Sequence, residues 1–251
     1  MFAFLLGFKD WHLEHLDRCL ASIRRHFSGP VVVSDLGSRD YDSAVAPLLQ
    51  IYGAIQVRVP STEWSRSVAL NAAARSVPPG TNWLIFTDAD MLFSGSWFSI
   101  VEQTLMSPPN VKVKGTLWLT HSRDLDEAAT ALIPPGIVYS DIWLYYASTP
   151  HPTDLGQGGG MVIPRWWFEK VGGFDEFYRV WGGEDNDLVL RAQWNGLSVE
   201  WLPRCWVTHQ WHRRDWPTQE QFRRVEENRA YLRAREVERG PIVRNQRGGV
   251  E

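Results

Sequence analysis

The chain has 251 residues, of which 44% are hydrophobic and 22% charged, and 26 basic against 29 acidic side chains give a net charge of −3. This size and composition are typical of a globular protein with a sizeable core, and the lack of a basic excess argues against a nucleic-acid-binding protein. With only two cysteines a disulfide scaffold is excluded, and the cysteine content indicates a reducing compartment.

The apolar run 2–8 at the amino terminus is followed directly by Lys9 and Asp10. It has no basic segment before it and is too short for a signal peptide or a membrane span, and no later stretch reaches membrane length. We therefore expect no integral membrane segment and a cytoplasmic location, with peripheral contact at the inner membrane face left open.

From residue 2 to residue 90, strand-like and helix-like segments alternate. Strands are predicted over apolar or β-branched runs, and helices where apolar residues recur every three or four positions. The predicted strands are 2–8, 30–35, 54–59 and 82–86, and the predicted helices are 13–27, 43–51 and 64–76. This alternation predicts a parallel sheet of Rossmann type, with ligands beyond the carboxyl ends of its strands.

The second half of the chain is less regular. The segments predicted there are a strand over 111–118, a loop-rich stretch over 121–150, a strand over 158–163, helices over 165–171 and 184–194, and short strands over 198–202 and 206–209. Thr218 and Gln221 form a T-x-x-Q capping box, which predicts a charged helix that runs to about Glu238.

Two compact acidic clusters carry most of the chemical information. Asp88 and Asp90 follow the apolar strand 82–86, and an extended chain directs both side chains to the same side. One carboxylate is suited to a hard cation and the other to a hydroxyl or a metal-bound water. Such pairs also end strands or begin turns without any function, but the position directly after an apolar strand favours a site.

The second cluster is the run Trp181-Gly182-Gly183-Glu184-Asp185-Asn186-Asp187. Its glycines allow the backbone to pass close to a ligand, and its acids occupy the first turn of a predicted helix. Acids also stabilise a helix start without any function, because the helix dipole favours negative charge there. Gathered carboxylates repel one another, so a cation or a substrate is expected to offset their charge.

Three further features support a ligand site. His209 ends a predicted strand, and a neutral imidazole is a suitable third ligand for Mn²⁺ beside oxygen donors. The glycine-rich run 156–160 is either a loop that approaches a ligand or a simple turn, and it does not match a P-loop. Fourteen tryptophans, whose faces stack on sugars, are suggestive of a carbohydrate only together with the acidic motifs.

Together, these motifs resemble the GT-A fold glycosyltransferases, particularly the bacterial family 2 enzymes and the galactosyltransferase-type carboxyl-terminal region. The resemblance covers roughly residues 2–212. Its most specific part runs from Gly159-Gly160 through Gly172-Gly173-Phe174-Asp175 to Trp181-Gly182-Gly183-Glu184-Asp185. This block is similar to the G-G…G-G-F-D-E…W-G-G-E-D pattern that β-1,4-galactosyltransferases share with chondroitin-polymerase-type domains.

The resemblance implies an α/β GT-A fold, with a Rossmann-like, mostly parallel central sheet flanked by helices and a smaller mixed acceptor-side region. It implies one catalytic domain over 1–216, whose nucleotide-binding half is 1–90 and whose acceptor half is 91–216. A helical tail, 217–251, follows. Either this tail is a solvated helix with a frayed end, or it folds over the donor so that Arg244 and Arg247 reach its phosphates.

The resemblance also implies roles for individual residues. Asp185 corresponds to the catalytic base and Glu184 to a residue that holds the acceptor or donor sugar, while Asp90, His209 and Asp88 correspond to ligands of Mn²⁺ or Mg²⁺. The residues implied in nucleotide-sugar binding are Asp35, Arg66, Asn71, Asp88, Gly160, Trp181 and Gly183. Two segments depart from the family pattern: Ser34-Asp35-Leu36-Gly37-Ser38 replaces D-D-G-S, and Ala69-Leu70-Asn71 replaces A-R-N, which shifts the basic role to Arg66.

The implied activity is metal-dependent transfer of a sugar from a nucleotide-diphosphate donor, a uridine diphosphate sugar, to a hydroxyl of a carbohydrate or another acceptor. Aspartate at 185, where retaining enzymes carry W-G-G-E-N, favours inversion by a single displacement. Three alternatives stay open: a retaining GT-A transferase, a nucleotidyltransferase and a catalytically silent carbohydrate-binding domain. The nucleotidyltransferase lacks a glycine-rich basic loop after the first strand, and the intact acids argue against a silent domain.

Overall fold

The computed structural model describes residues 1–106, 115–136, 140–151, 159–213, 218–240, 242–243 and 245. The strands are β1 Phe2–Phe8, β2 Val31–Asp35, β3 Ile55–Arg58, β4 Trp83–Thr87, β5 Met91–Leu92, β6 Thr116–Leu125, β7 Ser148–Pro150, β8 Met161–Pro164 and β9 Ser198–His209. The α-helices are α1 Leu13–Arg24, α2 Ala46–Ile51, α3 Arg66–Arg75, α4 Gly95–Met106, α5 Glu127–Ala131, α6 Asp141–Ala147, α7 Arg165–Lys170, α8 Glu184–Trp194 and α9 Gln219–Glu238, and a π-helical turn, Tyr41–Val45, precedes α2.

The strands form one sheet in the order β3-β2-β1-β4-β8-β6-β9-β5, and β7 pairs with β6. The four strands formed by residues 2–87 pair in parallel, as the alternation of strands and helices predicted. Beyond β4 the sheet is mixed. β8 is antiparallel to β4 and to β6, β5 is antiparallel to β9, and β6 is parallel to β9.

Helices cover both faces of the parallel strands. Alternate residues of β1 point to opposite faces, as the period of a strand requires. Phe4 and Leu6 join an apolar cluster with residues of α1 and α4 on one face. Ala3 and Leu5 join a second cluster with residues of α3, α7 and α8 on the other. Burial on both faces explains why β1 and β4 are largely apolar.

The second half of the chain differs from the sequence predictions in three places. The strand β5 and the helix α4 were not predicted. The predicted strands 198–202 and 206–209 are one strand, β9, because it pairs with β6 on both sides of a register shift between Leu119 and His121. The stretch 121–150 is not loop-rich: β6 continues into it, and α5, α6 and β7 follow around a small apolar cluster. Residues 111–114 and 158 of two predicted strands lie outside the described residues.

Helix α9 begins with the predicted capping box and packs against the segment before α8. Thr218 Oγ accepts from Gln221 N at 3.2 Å, and Thr218 N donates to the Gln221 side chain at 2.8 Å. Asn228 Nδ2 donates to the Trp181 carbonyl at 3.1 Å, and Tyr231 Oη donates to Asp175 Oδ2 at 2.8 Å. Arg244 and Arg247 lie outside the described residues. In the described part of the chain, no helix is both long and apolar enough to cross a bilayer.

Candidate functional site

The end of β4 and the end of β9 meet at one edge of the sheet. Asp88 and Asp90 follow β4, and the next residue, Met91, is the antiparallel partner of His209. Gln210 N also donates to the Asp90 carbonyl at 2.9 Å. This pairing brings together Asp90 and His209, which are 119 positions apart in the sequence.

A second histidine joins this pair. His209 Nε2 lies 3.4 Å from Asp90 Oδ2, and His212 Nε2 lies 3.6 Å from the same oxygen. The other ring nitrogen of His209, Nδ1, lies 3.3 Å from Asp124 Oδ1. The Asp124 carboxylate therefore orients the imidazole from the side opposite Asp90. Asp124 in turn lies 3.7 Å from His151 Nε2.

The group formed by Asp90, His209 and His212 fits a divalent transition-metal ion. One ligand atom from each residue lies within 4.8 Å of the others. Asp90 Oδ1 is buried without a hydrogen-bond partner, which leaves a carboxylate oxygen for a cation. Two imidazoles and a carboxylate suit Mn²⁺ or Zn²⁺ better than Mg²⁺, which prefers oxygen ligands.

The charges of this group shift its pKa values in opposite directions. Burial would raise the pKa of Asp90, but the hydrogen bond and charge of His209, together with His212, hold it below its usual value. Burial would lower the pKa of His209, but Asp90 and Asp124 raise it. The Asp90 carboxylate is therefore stabilised as an anion by the positive charge beside it.

Next to this group, Arg66 lies between two carboxylates. Its Nε donates to Asp88 Oδ1 at 2.6 Å, and its Nη1 lies 3.7 Å from Glu184 Oε1. Arg66 is the first residue of α3, and the helix is capped by Ser65, whose Oγ accepts from Val68 N. Asp88 is thus paired with Arg66, and the group around Asp90 contains His212 in addition to the predicted His209.

Glu184 and Asp185 begin α8 in different environments. Burial and the charge of Asp185 raise the pKa of Glu184 to about 7, although Arg66 opposes the shift. Glu184 Oε2 is buried without a hydrogen-bond partner, whereas Asp185 is half-buried and its Oδ1 accepts from Asn186 N at 2.8 Å. One carboxylate is therefore buried and easily protonated, and the other reaches solvent.

The glycines before α8 are needed for the backbone path. Gly182 and Gly183 have φ values of 94° and 97°, in the region that favours glycine. A Cβ at Gly183 would lie 2.8 Å from a ring carbon of Tyr178. Trp181, which precedes them, is 55% exposed. This turn therefore presents the indole at the surface and the two acids at the start of the helix.

Three other predicted nucleotide-sugar residues are held within the fold. The carboxylate of Asp35 is buried and accepts from Gly37 N and Ser38 N, both at 2.9 Å, and from the Ser38 hydroxyl. Asn71 is bonded to the backbone N–H and carbonyl of Phe174, each at 2.9 Å. A Cβ at Gly160 would lie 2.1 Å from Thr120 Oγ1, so packing within the sheet requires glycine there.

The sequence interpretation did not assign His212, Asp124 or His151 to a site. The spacing of His209 and His212, three positions apart after a strand, is a signal that could have indicated a second imidazole. No sequence signal pointed to Asp124, which reaches the site because it is the register partner of His209 in the pairing of β6 with β9.

Known proteins resemble this chain over part of the candidate site and over the whole fold. A family model described as the N-terminal domain of galactosyltransferase matches residues 144–213. Human chondroitin sulfate N-acetylgalactosaminyltransferase 2 is 28% identical over 189 residues, which are 72% of this chain and 33% of that protein. N-acetylgalactosaminyltransferase 7 of Drosophila melanogaster is 36% identical over 62 residues, 25% of this chain and 10% of that protein. The chain spans a third or less of the length of these two curated relatives.

Two crystal structures share the fold over nearly the whole chain. GalNAc-T7 with UDP, GalNAc and Mn²⁺ has a TM-score of 0.64 at 15% identity, and the match covers 99% of this chain and 52% of that chain. TarS of S. aureus in complex with UDP has a TM-score of 0.58 at 13% identity, with 92% and 64% covered. The chain therefore has the GT-A fold, as predicted from the sequence, and its resemblance to glycosyltransferases of that fold is confirmed.

Proposed function

We propose that this chain is the catalytic domain of a glycosyltransferase that moves a sugar from a nucleotide-diphosphate donor to an acceptor hydroxyl with the help of a divalent cation. The observation that carries the proposal is the meeting of two charged groups at one edge of the sheet: Asp90 with its two histidines, and Arg66 between its two carboxylates. The N-acetylgalactosaminyltransferases among the relatives support the same reaction class.

In this proposal Asp90, His209 and His212 hold the cation, for which Mn²⁺ is the first candidate. When bound, such an ion supplies positive charge that stabilises a departing diphosphate. A uridine diphosphate sugar is the proposed donor, because GalNAc-T7 was crystallised with UDP and Mn²⁺ and TarS with UDP. The names of the relatives make N-acetylgalactosamine the first sugar to test.

In this proposal the two acids at the start of α8 have different roles. Asp185, which reaches solvent, takes the proton of the acceptor hydroxyl as that oxygen attacks the anomeric carbon. Glu184, held beside Arg66, offers its unpartnered Oε2 to a sugar hydroxyl. Attack from the face opposite the leaving group inverts the anomeric centre, and NMR of the product distinguishes this outcome from retention.

The substitution Asp185→Asn tests the proposed base. It preserves the shape of the side chain but removes its basicity, so transfer should fall by about 10²-fold or more, which is the low end of the usual contribution of a general base. Donor binding, measured by calorimetry with Mn²⁺, should stay close to wild type. Asn186→Ala, in the same helical turn, is the matched control and should keep its turnover. Equal turnover in Asp185→Asn and wild type would remove Asp185 from this role.

Two further expectations continue as proposals. One is a cytoplasmic location, which fits two free, buried cysteines and is tested by fractionation of cells that produce the protein. The other is a domain boundary near residue 216, which limited proteolysis tests directly: cleavage concentrated at 214–217 with an intact core supports it, and uniform resistance there contradicts it.

A further inference from the structure

A second group of metal-ligating side chains lies at the start of α1. His12 immediately precedes the helix, and Glu14 and His15 lie in its first turn. One ligand atom from each of the three residues lies within 4.8 Å of the other two. His12 Nδ1 and Glu14 Oε1 are 3.5 Å apart. None of these residues belongs to the site proposed above.

The buried member of this group, His15, has an unsatisfied ring nitrogen. His15 is only 7% exposed, and its Nδ1 has no hydrogen-bond partner. A buried polar atom without a partner costs free energy unless a ligand or water binds it. An imidazole nitrogen without a partner can donate a lone pair to a metal when the ring is neutral.

The backbone around His15 is also fixed. Its carbonyl accepts from Gln210 Nε2 at 3.1 Å, and Gln210 Oε1 accepts from Arg18 Nη1 at 3.3 Å. His12 and His15 are three positions apart, a spacing that brings side chains together at one face of a helical turn. The ligands are therefore already gathered, so that binding requires little ordering of the chain.

The donor set determines which ion this group suits. Two imidazoles and one carboxylate are ligands for Zn²⁺, with a water in the fourth tetrahedral position, whereas Mg²⁺ and Ca²⁺ prefer oxygen ligands alone. The positive end of the helix dipole opposes a cation at the first turn, but its effect is about 1 kcal/mol or less at an exposed site. The Glu14 carboxylate offsets that effect.

We propose that His12, Glu14 and His15 form a second transition-metal site that prefers Zn²⁺ to Mg²⁺. The site is distinct from the group around Asp90 but close to it, since the rings of His15 and His212 are 6.4 Å apart. Trp11 precedes the site and contacts His212 edge-on, with ring centroids 4.7 Å apart. The proposal does not depend on the proposed transfer reaction.

Zinc stoichiometry, measured by titration calorimetry and by metal analysis after dialysis, tests this site. The double variant His12→Ala/Glu14→Gln changes two exposed side chains, and it should bind one equivalent of Zn²⁺ fewer than wild type. The rise in melting temperature that Mn²⁺ causes should persist in this variant. His26→Ala, which changes an exposed histidine just beyond the other end of α1, is the control and should bind as many equivalents as wild type.

The reciprocal variant separates the two sites. His209→Ala should lose the equivalent held near Asp90 and keep the equivalent at α1. An unchanged stoichiometry in His12→Ala/Glu14→Gln would overturn the proposed zinc site and leave the glycosyltransferase proposal untouched. Loss of all zinc in His209→Ala would overturn it as well, because both signals would then come from one site.

Discussion

Arg66 links two acidic segments that lie far apart in the sequence. Its guanidinium contacts Asp88 at the end of β4 and faces Glu184 at the start of α8. Removing the partner of a buried charge is costly, so the three residues constrain one another. Beside them Asp90 is balanced by histidines instead. The site therefore contains Arg66, which is always positively charged, and the Asp90 carboxylate, whose two histidine partners can bind a metal when their rings are neutral.

Asp90→Asn tests metal binding at the scale of a single side chain. A ligand that binds only the native state stabilises it by about 2.7 kcal/mol at one hundred times its dissociation constant. For a chain of this size that corresponds to a rise of several degrees in melting temperature. Wild type should show this rise with Mn²⁺, and Asp90→Asn should lose most of it. Asp42→Asn, at an exposed acid, is the control; an equal rise in both variants would contradict metal binding at Asp90.

Glu184 gives the folded protein a pH dependence with a defined sign. Its pKa is 4.5 in the unfolded reference and about 7 in the fold, because burial disfavours the charged form. The folded state therefore binds the proton more tightly than the unfolded state. The contribution of this proton to the free energy of unfolding is fully present below pH 4.5 and is lost as the pH rises to about 7. At about 1.36 kcal/mol per pKa unit, the loss is at most about 3 kcal/mol.

Glu184→Gln should remove this pH dependence. The free energy of unfolding is measured by chemical denaturation between pH 4.5 and 8. As the pH rises, the variant should become more stable relative to wild type. Glu236→Gln, at an exposed position in α9, should follow wild type throughout. Parallel curves for wild type and Glu184→Gln would mean that the Glu184 carboxyl titrates at its ordinary pKa.

At the scale of elements, local patterns determined the first half of the chain and tertiary pairing determined the second. Strands β1, β2 and β4 are largely apolar because they are buried on both faces, and the helices between the strands carry periodic apolar residues, so these elements are readable from sequence. The capping box of α9 is equally local. By contrast, β9 is continuous because it pairs with β6 on both sides of a register shift, a contact that no local pattern in β9 encodes.

The candidate site follows the same division. Asp90 and His209 belong to motifs that resemble a known family, so the sequence predicted them. Asp124 depends on its register opposite His209, and register is set by the whole sheet. His12 and His15 lie near the candidate site only because the residues after β9, Gln210 and His212, contact α1. The sequence shows which residue types are present, but it does not show which distant residues the fold brings together.

Arg235→Met tests how α9 is held to the fold. Arg235 Nε donates to Asp187 Oδ1 at 3.3 Å, and Asp187 Oδ2 accepts from Arg191 at 2.6 Å, with all three residues buried. Breaking a buried pair costs about 3–5 kcal/mol, and the lower end is expected because Arg191 still pairs with Asp187. Denaturant unfolding measures the loss. Arg233→Met, at an exposed position of the same helix, should be close to neutral, and equal losses in both variants would contradict this assignment.

At the scale of the whole molecule, the sheet brings distant segments to one edge. β8 runs antiparallel to β4, so the residue before it, Gly160, lies near the end of β4, and Thr87 Oγ1 donates to the Gly159 carbonyl at 2.8 Å. The turn before α8 lies against α3 as well, since Ser65 Oγ donates to the Tyr178 carbonyl at 2.9 Å. The sheet thus supplies rigid positions, and the turns after its strands supply the charged groups.

Ending the chain at residue 217 tests whether α9 belongs to the working molecule. α9 contacts the segment before α8 through Asn228 and Tyr231, and α8 itself through Arg235, so its removal exposes buried polar groups beside Glu184 and Asp185. We expect a lower melting temperature and a loss of transfer greater than the loss of Mn²⁺ binding, because the cation group depends on β5 and β9. A chain that ends after residue 245 is the control, and full transfer by the shorter chain would show that residues 1–217 suffice.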